Sequence, residues 1–145
     1  LTASDIDAVM FGALRQGQTI DLESNGRVVL SSLERDNLTG NQWFHWQRCR
    51  GDLDRASFYG PARFGLEGDA LAGVGQGGAI TAVADSAVMV AEVFYDYQPL
   101  FGGMFPDFSV IREEAVFMIR DDRNLGDRDG EGISPGASQS ECQLP

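Results

Sequence analysis

The feature that most constrains the fold is a run of alternating apolar residues between Asp85 and Phe101. Its odd positions form an unbroken apolar row: Ala87, Met89, Ala91, Val93, Tyr95 and Tyr97. Its even positions mix apolar with acidic side chains: Val88, Val90, Glu92, Phe94 and Asp96. Because side chains in a strand alternate between two faces, the run predicts a β-strand whose odd face is buried and whose even face is partly exposed. Pro99 cannot donate a ladder hydrogen bond, so the strand should end near Gln98.

A second run, from Val110 to Arg120, follows after a loop of the length that joins neighbouring strands. Its apolar row is interrupted only by Glu113 and consists of Ile111, Ala115, Phe117 and Ile119. We expect this run to pair antiparallel with the first strand and to supply the other half of a core.

The N-terminal residues predict a helix. Thr2 and Ser4 are candidate N-caps, and Gly17 is placed to end the helix after about three turns. Between them runs one apolar stripe with helical spacing: Ile6, Val9, Met10, Ala13 and Leu14. This stripe should pack on the sheet.

Two more strands are expected after a turn at Glu23 to Gly26, where Asn-Gly is a strong turn signal. The first spans Arg27 to Arg35, and the second spans Gln42 to Arg50, which contains Trp43, Phe44 and Trp46. The two should form a hairpin. With the helix, these four strands predict an α+β fold.

From Gly51 to Ala84 the hydrophobic period is lost, and glycines recur at short intervals. We therefore expect a long Gly-rich loop there, with a possible short strand at Ile80 to Val83. Loops of this length are usually functional or mobile. The tail from Asp121 to Pro145 is expected to be irregular.

Composition limits the class of protein. The 145 residues are 43% hydrophobic, which suffices for one domain with a core. A net charge of -11 repels phosphate backbones, so we expect no nucleic-acid partner. The chain begins at Leu1 rather than Met, and we interpret it as a deliberately shortened chain or a processed product from which an N-terminal segment has been removed.

Several motifs suggest binding or catalysis but have simpler interpretations. Gly73, Gly75 and Gly78 match the dinucleotide fingerprint without the strand before it or the helix after it. Asp127, Asp129 and Glu131 alternate as calcium ligands do, yet the bidentate ligand of an EF-hand is missing, since position 12 falls on Ser138. They remain a weak calcium candidate beside the interpretation as a solvated loop. We predict no metal site beyond this candidate and no cofactor.

Catalytic side chains are also poorly represented. His45, the one histidine, lies inside a predicted strand between Phe44 and Trp46, so we predict a structural role for it. The carboxylates Glu92, Asp96, Glu113 and Glu114 could form an acid pair across strands. Arg112 and Arg120 on the neighbouring strand make cross-strand ion pairs the simpler explanation. We predict that the chain has no catalytic residues and is not an enzyme.

The two cysteines, Cys49 and Cys142, are compatible with two thiols or with one bridge that would anchor the tail.

Four segments carry a resemblance to a known family: residues 25–32 (NGRVVLSS), 46–51 (WQRCRG), 86–101 (SAVMVAEVFYDYQPLF) and 117–125 (FMIRDDRNL). Together they resemble the periplasmic part of TadE/TadG-like pseudopilins, which are minor components of tight-adherence (Tad, type IVc) pilus systems in bacteria. The similarity runs from Leu1 to Leu125, and Cys142 matches a cysteine that the family tends to carry near its end. The chain departs from the family in lacking the N-terminal hydrophobic helix and in its acidic tail, Gly126 to Ser140.

The resemblance implies a pilin-like α+β fold, in which an N-terminal helix packs on an antiparallel sheet of about four strands, for a single periplasmic or extracellular domain spanning residues 1–145. It implies a non-enzymatic role in pilus assembly, priming or the pilus tip, and in surface adherence. The implied partners are other pilin subunits, the assembly platform and, through the absent helix, the inner membrane. The protein would be anchored there with a periplasmic domain, or incorporated in the extracellular pilus. Outside the cytoplasm thiols oxidise, so we expect a disulfide between Cys49 and Cys142.

The alternative is a secreted ligand-binding or adhesive module that uses the Gly-rich loop and exposed aromatic residues such as Tyr59 and Phe64. A hydrolase that uses carboxylates is a third interpretation.

Overall fold

The computed structural model describes residues 2–68, 70–97, 110–120, 133 and 141–142. A short N-terminal helix precedes a four-stranded antiparallel sheet, which confirms the predicted α+β class. The helices are α1 (Ala3–Gln16) and α2 (Leu22–Asn25), with 3-10 turns at Gln18–Ile20 and Gln76–Gly78. The strands are β1 (Gly26–Arg35), β2 (Gln42–Arg50), β3 (Ala87–Asp96) and β4 (Val110–Ile119). Helix α2 occupies the place where the sequence predicted a turn at Glu23 to Gly26, so that prediction was wrong.

The strand order is β2-β1-β3-β4, and every neighbouring pair is antiparallel. The predicted hairpin is therefore confirmed for β1 and β2, as is the pairing of β3 with β4. The β1–β2 register shifts between Ser32, which opposes Trp46, and Leu33, which opposes Phe44. His45 is the extra residue of this bulge, and bulges bend and twist the strand that carries them.

Helix α1 begins with a capping box: the Thr2 side chain accepts from the Asp5 N–H, and the Asp5 carboxylate accepts from the Thr2 N–H. This reciprocal bonding satisfies two of the donors that every helix start leaves free. Ile6, Met10 and Leu14 are buried in one core cluster with Trp46. Val9, placed in the same stripe by sequence, is 61% exposed, because the contact with the sheet is narrower than the predicted stripe.

The burial of β3 differs from the expectation: Ala87 and Met89 on the odd face are buried as predicted, but the even face is the more buried one. On the even face Val88, Val90 and Glu92 are fully buried, whereas Ala91 and Val93 on the odd face are only partly buried. The reason is tertiary: α1 lies over β1 and β2 and leaves the odd face of β3 partly open. The segment between β2 and β3 covers the even face, where Val74 and Ala82 pack on Val88 and Val90.

That segment, residues 51–84 and called the excursion below, contains only a 3-10 turn and one isolated bridge between Val74 and Ile80 among its described residues. The possible strand at Ile80 to Val83 does not form. Gly65 lets the excursion pass close to β2: its φ is +94°, and an added Cβ would lie 2.3 Å from the Gln42 carbonyl oxygen. Neither the conformation nor the space suits a larger residue.

Strand β4 lies at the edge of the sheet. Its odd row was expected to complete the core, but Ile111 and Phe117 are about half exposed, at 46% and 47%. An edge strand has one neighbour instead of two, and of this row only Ile119 packs against the core cluster that contains α1. The predicted core role was therefore wrong for the exposed residues of this row.

Candidate functional site

The excursion is fixed to the sheet by a polar cluster that we call the latch: Ser57, Tyr59, Glu92, Arg112 and Glu114. Glu92 on β3 and Glu114 on β4 are directly opposed in the sheet. Like charges in that position repel one another. Arg112, two residues before Glu114 on the same face, lies between the carboxylates.

Arg112 bonds both carboxylates. Its Nε donates to Glu92 Oε1 at 2.9 Å, and its NH2 group lies 2.9 Å from the same oxygen and 2.5 Å from Glu114 Oε2. The Glu92 side chain is completely buried, whereas that of Arg112 is 28% exposed. A buried carboxylate without a cation or donors would cost several kcal/mol, so Arg112 is the group that permits Glu92 in this position.

The excursion supplies the other donors. Ser57 Oγ donates to Glu92 Oε2 at 2.5 Å, and the Phe58 N–H donates to Oε1 at 3.0 Å. The Tyr59 hydroxyl donates to Glu114 Oε2 at 2.5 Å and accepts from the Gly75 N–H at 2.9 Å. Two distant parts of the excursion are thus joined to one pair of strands.

Two latch residues have perturbed pKa values. Burial raises the pKa of Tyr59, and the hydrogen bond to Glu114 raises it further, because both favour the neutral phenol. Burial by itself lowers the pKa of Arg112, but its bonds to Glu92, Tyr59 and Glu114 outweigh burial and the pKa is raised. The cluster therefore stabilises a neutral phenol and a charged guanidinium.

The latch presents an aromatic surface to solvent. Phe58 is 71% exposed, and the Arg112 guanidinium lies 4.6 Å from the centroid of its ring. Phe64 is 42% exposed, as predicted. Tyr59 was expected to be exposed with it, but its ring packs partly buried 6.2 Å from Phe44 while its hydroxyl serves the latch. Sequence reasoning missed Phe58, whose position depends on the hydrogen bond from its N–H to Glu92.

His45 lies on the opposite face of the sheet from the latch, in a second buried polar cluster. Its Nδ1 lies 2.6 Å from Glu34 Oε2, and Ser32 Oγ donates to Glu34 Oε1 at 2.8 Å. The Trp43 ring packs 4.6 Å from the imidazole. Both His45 and Glu34 are buried, an environment consistent with the structural role predicted for His45.

The predicted cross-strand ion pair forms between Arg112 and Glu92, and Arg112 also pairs with Glu114 on its own strand. Glu113 belongs to the opposite face of β4 by the alternation of the strand. The glycines of the fingerprint-like motif, from Gly73 to Gly78, shape the 3-10 turn beside the Val74–Ile80 bridge. In the described part of the chain, no strand leads directly into this motif and no α-helix follows it.

A disulfide joins Cys49 of β2 to Cys142, with an S–S distance of 2.00 Å, and confirms the expected bridge. Next to it, Glu141 forms an isolated antiparallel bridge with Arg48. The cystine packs with Val29 and Phe94 in a third core cluster. The calcium candidates Asp127, Asp129 and Glu131 lie outside the described residues, among which no group of three metal-ligating side chains is found.

Over the described ranges of the chain, no helix has the length and apolar character needed to cross a bilayer. Comparison of the sequence with protein-family models and curated proteins, and of the structure with solved structures, gives no match to this chain.

Proposed function

We propose that this chain is the folded domain of a TadE/TadG-like minor pilin of a tight-adherence (type IVc) pilus. Its role would be structural, in pilus assembly, priming or the tip, and in surface adherence. The observation that supports the proposal is the packing of α1 against a four-stranded antiparallel sheet through Ile6, Met10 and Leu14. The resemblance of the strand sequences implied this order and this packing of elements.

The disulfide also supports the proposal. A bridge that ties a tail to a strand persists in an oxidising compartment, such as the bacterial periplasm or the cell surface. The proposed location is therefore the inner membrane with a periplasmic domain, or the extracellular pilus. The proposed partners are other pilin subunits and the assembly platform.

The test is deletion and complementation in the source bacterium, with separate measurements of piliation and attachment. We expect the deletion to abolish pili, as seen by electron microscopy, and the wild-type gene to restore them. Antibody against this domain should also label sheared pili or the inner-membrane fraction. Normal piliation in the deletion strain, with no second copy of the gene, contradicts the proposal.

A second candidate function is a secreted ligand-binding or adhesive module. It is favoured by the exposed rings of Phe58 and Phe64 on the excursion, since exposed aromatic side chains are common anchors in binding surfaces. The same assays separate the two functions. Under this second function, the Phe58→Ser/Phe64→Ser double variant should lose surface attachment while pili remain normal. The matched control is Leu38→Ser, because Leu38 is exposed in the β1–β2 turn, away from the excursion.

A further inference from the structure

The two edges of the sheet differ in how far their outward-facing backbone groups are hydrogen-bonded. At the β2 edge, the Phe44 N–H donates to the Phe64 carbonyl at 3.1 Å, and the Arg63 N–H donates to the Phe44 carbonyl at 2.6 Å. Further along, Arg48 pairs with Glu141. At the β4 edge, no described residue pairs with the outward-facing backbone groups. One edge is thus covered by the chain itself, and the other is not covered by any described residue.

Strand β4 has charged residues only at Arg112, Glu113 and Glu114 and lacks the other usual protections of an exposed edge. Its ten residues pair with β3 in continuous register without a bulge, and it contains neither proline nor lysine. Phe117 and Met118 are 47% and 53% exposed on its two faces. A long, regular edge with exposed apolar side chains is a template for strand addition.

We infer that β4 pairs antiparallel with β4 of a second copy of this chain and joins the two sheets into one. The two-fold symmetry of such a dimer limits the possible registers. Directly opposed residues in an antiparallel pair point their backbone groups either both toward or both away from each other. A strand that pairs with itself must therefore oppose residues of equal parity, and one residue must lie on the two-fold axis opposite its own copy.

Charge then distinguishes among the registers. An axis at Glu114 places that carboxylate opposite itself, and an axis at Val116 opposes Arg112 with Arg120. An axis at Glu113 opposes Arg112 with Glu114 twice, but it places Glu113 opposite itself, and Arg112 is already bonded to Glu92 and Glu114 of its own chain. An axis at Ala115 opposes no complementary charges. An axis at Phe117 opposes Glu114 with Arg120 twice and forms apolar couples between them: Ala115 with Ile119, Val116 with Met118, and Phe117 with its own copy. In this register residues 114–120 pair, and residues 110–113 extend past the end of the partner's strand.

The two charged groups in this register are available. Glu114 uses Oε2 for both Arg112 and Tyr59, and its Oε1 has no hydrogen-bond partner among the described residues. Arg120 follows β4 directly, is exposed and makes no ion pair with a described residue. Phe117 would meet its own copy at the axis. The inference does not depend on the proposed pilin function.

The first test is sedimentation equilibrium of the purified chain from about 1 to about 300 µM, the range in which small interfaces dissociate. We expect the wild type to dimerise and Phe117→Lys, which opposes two ammonium groups at the axis, to weaken the dimer at least about tenfold. The matched control is Phe11→Lys on α1, where Phe11 is 52% exposed, and this variant should dimerise like the wild type.

The second test addresses the register without altering the strand. Arg120→Glu should weaken the dimer roughly tenfold because Glu114 then faces a like charge in both pairs. Arg120→Lys should retain it. All 11 basic residues of the chain are arginine, so Arg120→Lys introduces the only side-chain amine. A zero-length carbodiimide should then link it to Glu114, and a mixture of ¹⁴N- and ¹⁵N-labelled protein identifies the link as intermolecular by mass spectrometry.

Three results would overturn the inference. One is a wild type that remains monomeric over the whole concentration range. Another is a dimer that Phe11→Lys disrupts while Phe117→Lys and Arg120→Glu leave it intact, which would place the contact on α1. The third is an intermolecular cross-link from position 120 to a carboxylate other than Glu114, which would exclude the register centred on Phe117.

Discussion

Replacing Arg112 with methionine tests whether the latch holds the excursion on the sheet. Methionine keeps an unbranched apolar stem of similar reach but removes the cation that serves Glu92 and Glu114. Glu92 is completely buried, so the variant leaves an uncompensated charge inside the protein. Removing one partner of a buried ion pair typically costs 3 to 5 kcal/mol, and the 28% exposure of Arg112 places the expected loss near the lower end, about 3 kcal/mol.

The assay is urea unfolding followed by tryptophan fluorescence, since Trp43 and Trp46 are both fully buried. A loss of about 3 kcal/mol corresponds to a Tm lower by roughly 10 °C in a chain of this size. Trypsin provides a local measurement. Arg55 and Arg63, the only basic residues of the excursion, are exposed, and cleavage after them should accelerate when the latch is broken.

Two further variants separate charge from packing. Glu92→Gln combined with Arg112→Met removes the uncompensated charge and should recover most of the loss. Arg120→Met, an exposed arginine at the end of the same strand, should change stability by less than about 0.5 kcal/mol when both variants are measured at a concentration at which the protein is monomeric. If the double variant is as unstable as Arg112→Met alone, the loss comes from the stacking of Arg112 on Phe58, and the electrostatic reasoning is refuted.

Three other predictions follow from the described contacts. Reducing the disulfide, or replacing Cys142 with serine, should destabilise the protein by up to about 4.6 kcal/mol for a bridge spanning 93 residues, and an unchanged urea midpoint would contradict this. The raised pKa of Tyr59 means that its contribution is complete below about pH 10, the ordinary phenol value, and is lost as pH rises through the folded-state value. Tyr59→Phe should therefore flatten the alkaline loss of the urea midpoint, and parallel pH profiles for variant and wild type would argue against it. Thr2→Ala should lower stability by about 1 kcal/mol through loss of the capping box, whereas Thr2→Ser should not, and equal stability of the two variants would show that the cap is unimportant.

The sequence by itself determined α1 and the four strands of this protein, but not α2. Local signals were sufficient for α1, where Thr2 and Asp5 form the cap and Gly17 follows the last residue. Alternating apolar residues and turn signals were sufficient for the four strands and for the pairing of neighbours along the chain. These signals act between residues close in sequence, so they can be recognised without the fold.

Only the tertiary structure decided which faces are buried. The even face of β3 is the more buried one because the excursion covers it, and an irregular segment carries no period from which its position could be predicted. Glu92 had suggested a partly exposed face, yet it is buried because Arg112 and two groups of the excursion, the Ser57 hydroxyl and the Phe58 N–H, meet there in space. The one feature of the sequence that pointed to the latch was Glu92, a charged residue within an apolar strand. Its partners Ser57 and Arg112 are 20 or more residues away in sequence, so the sequence pattern did not identify them. The exposure of β4 likewise follows from strand order, which is a property of the whole sheet.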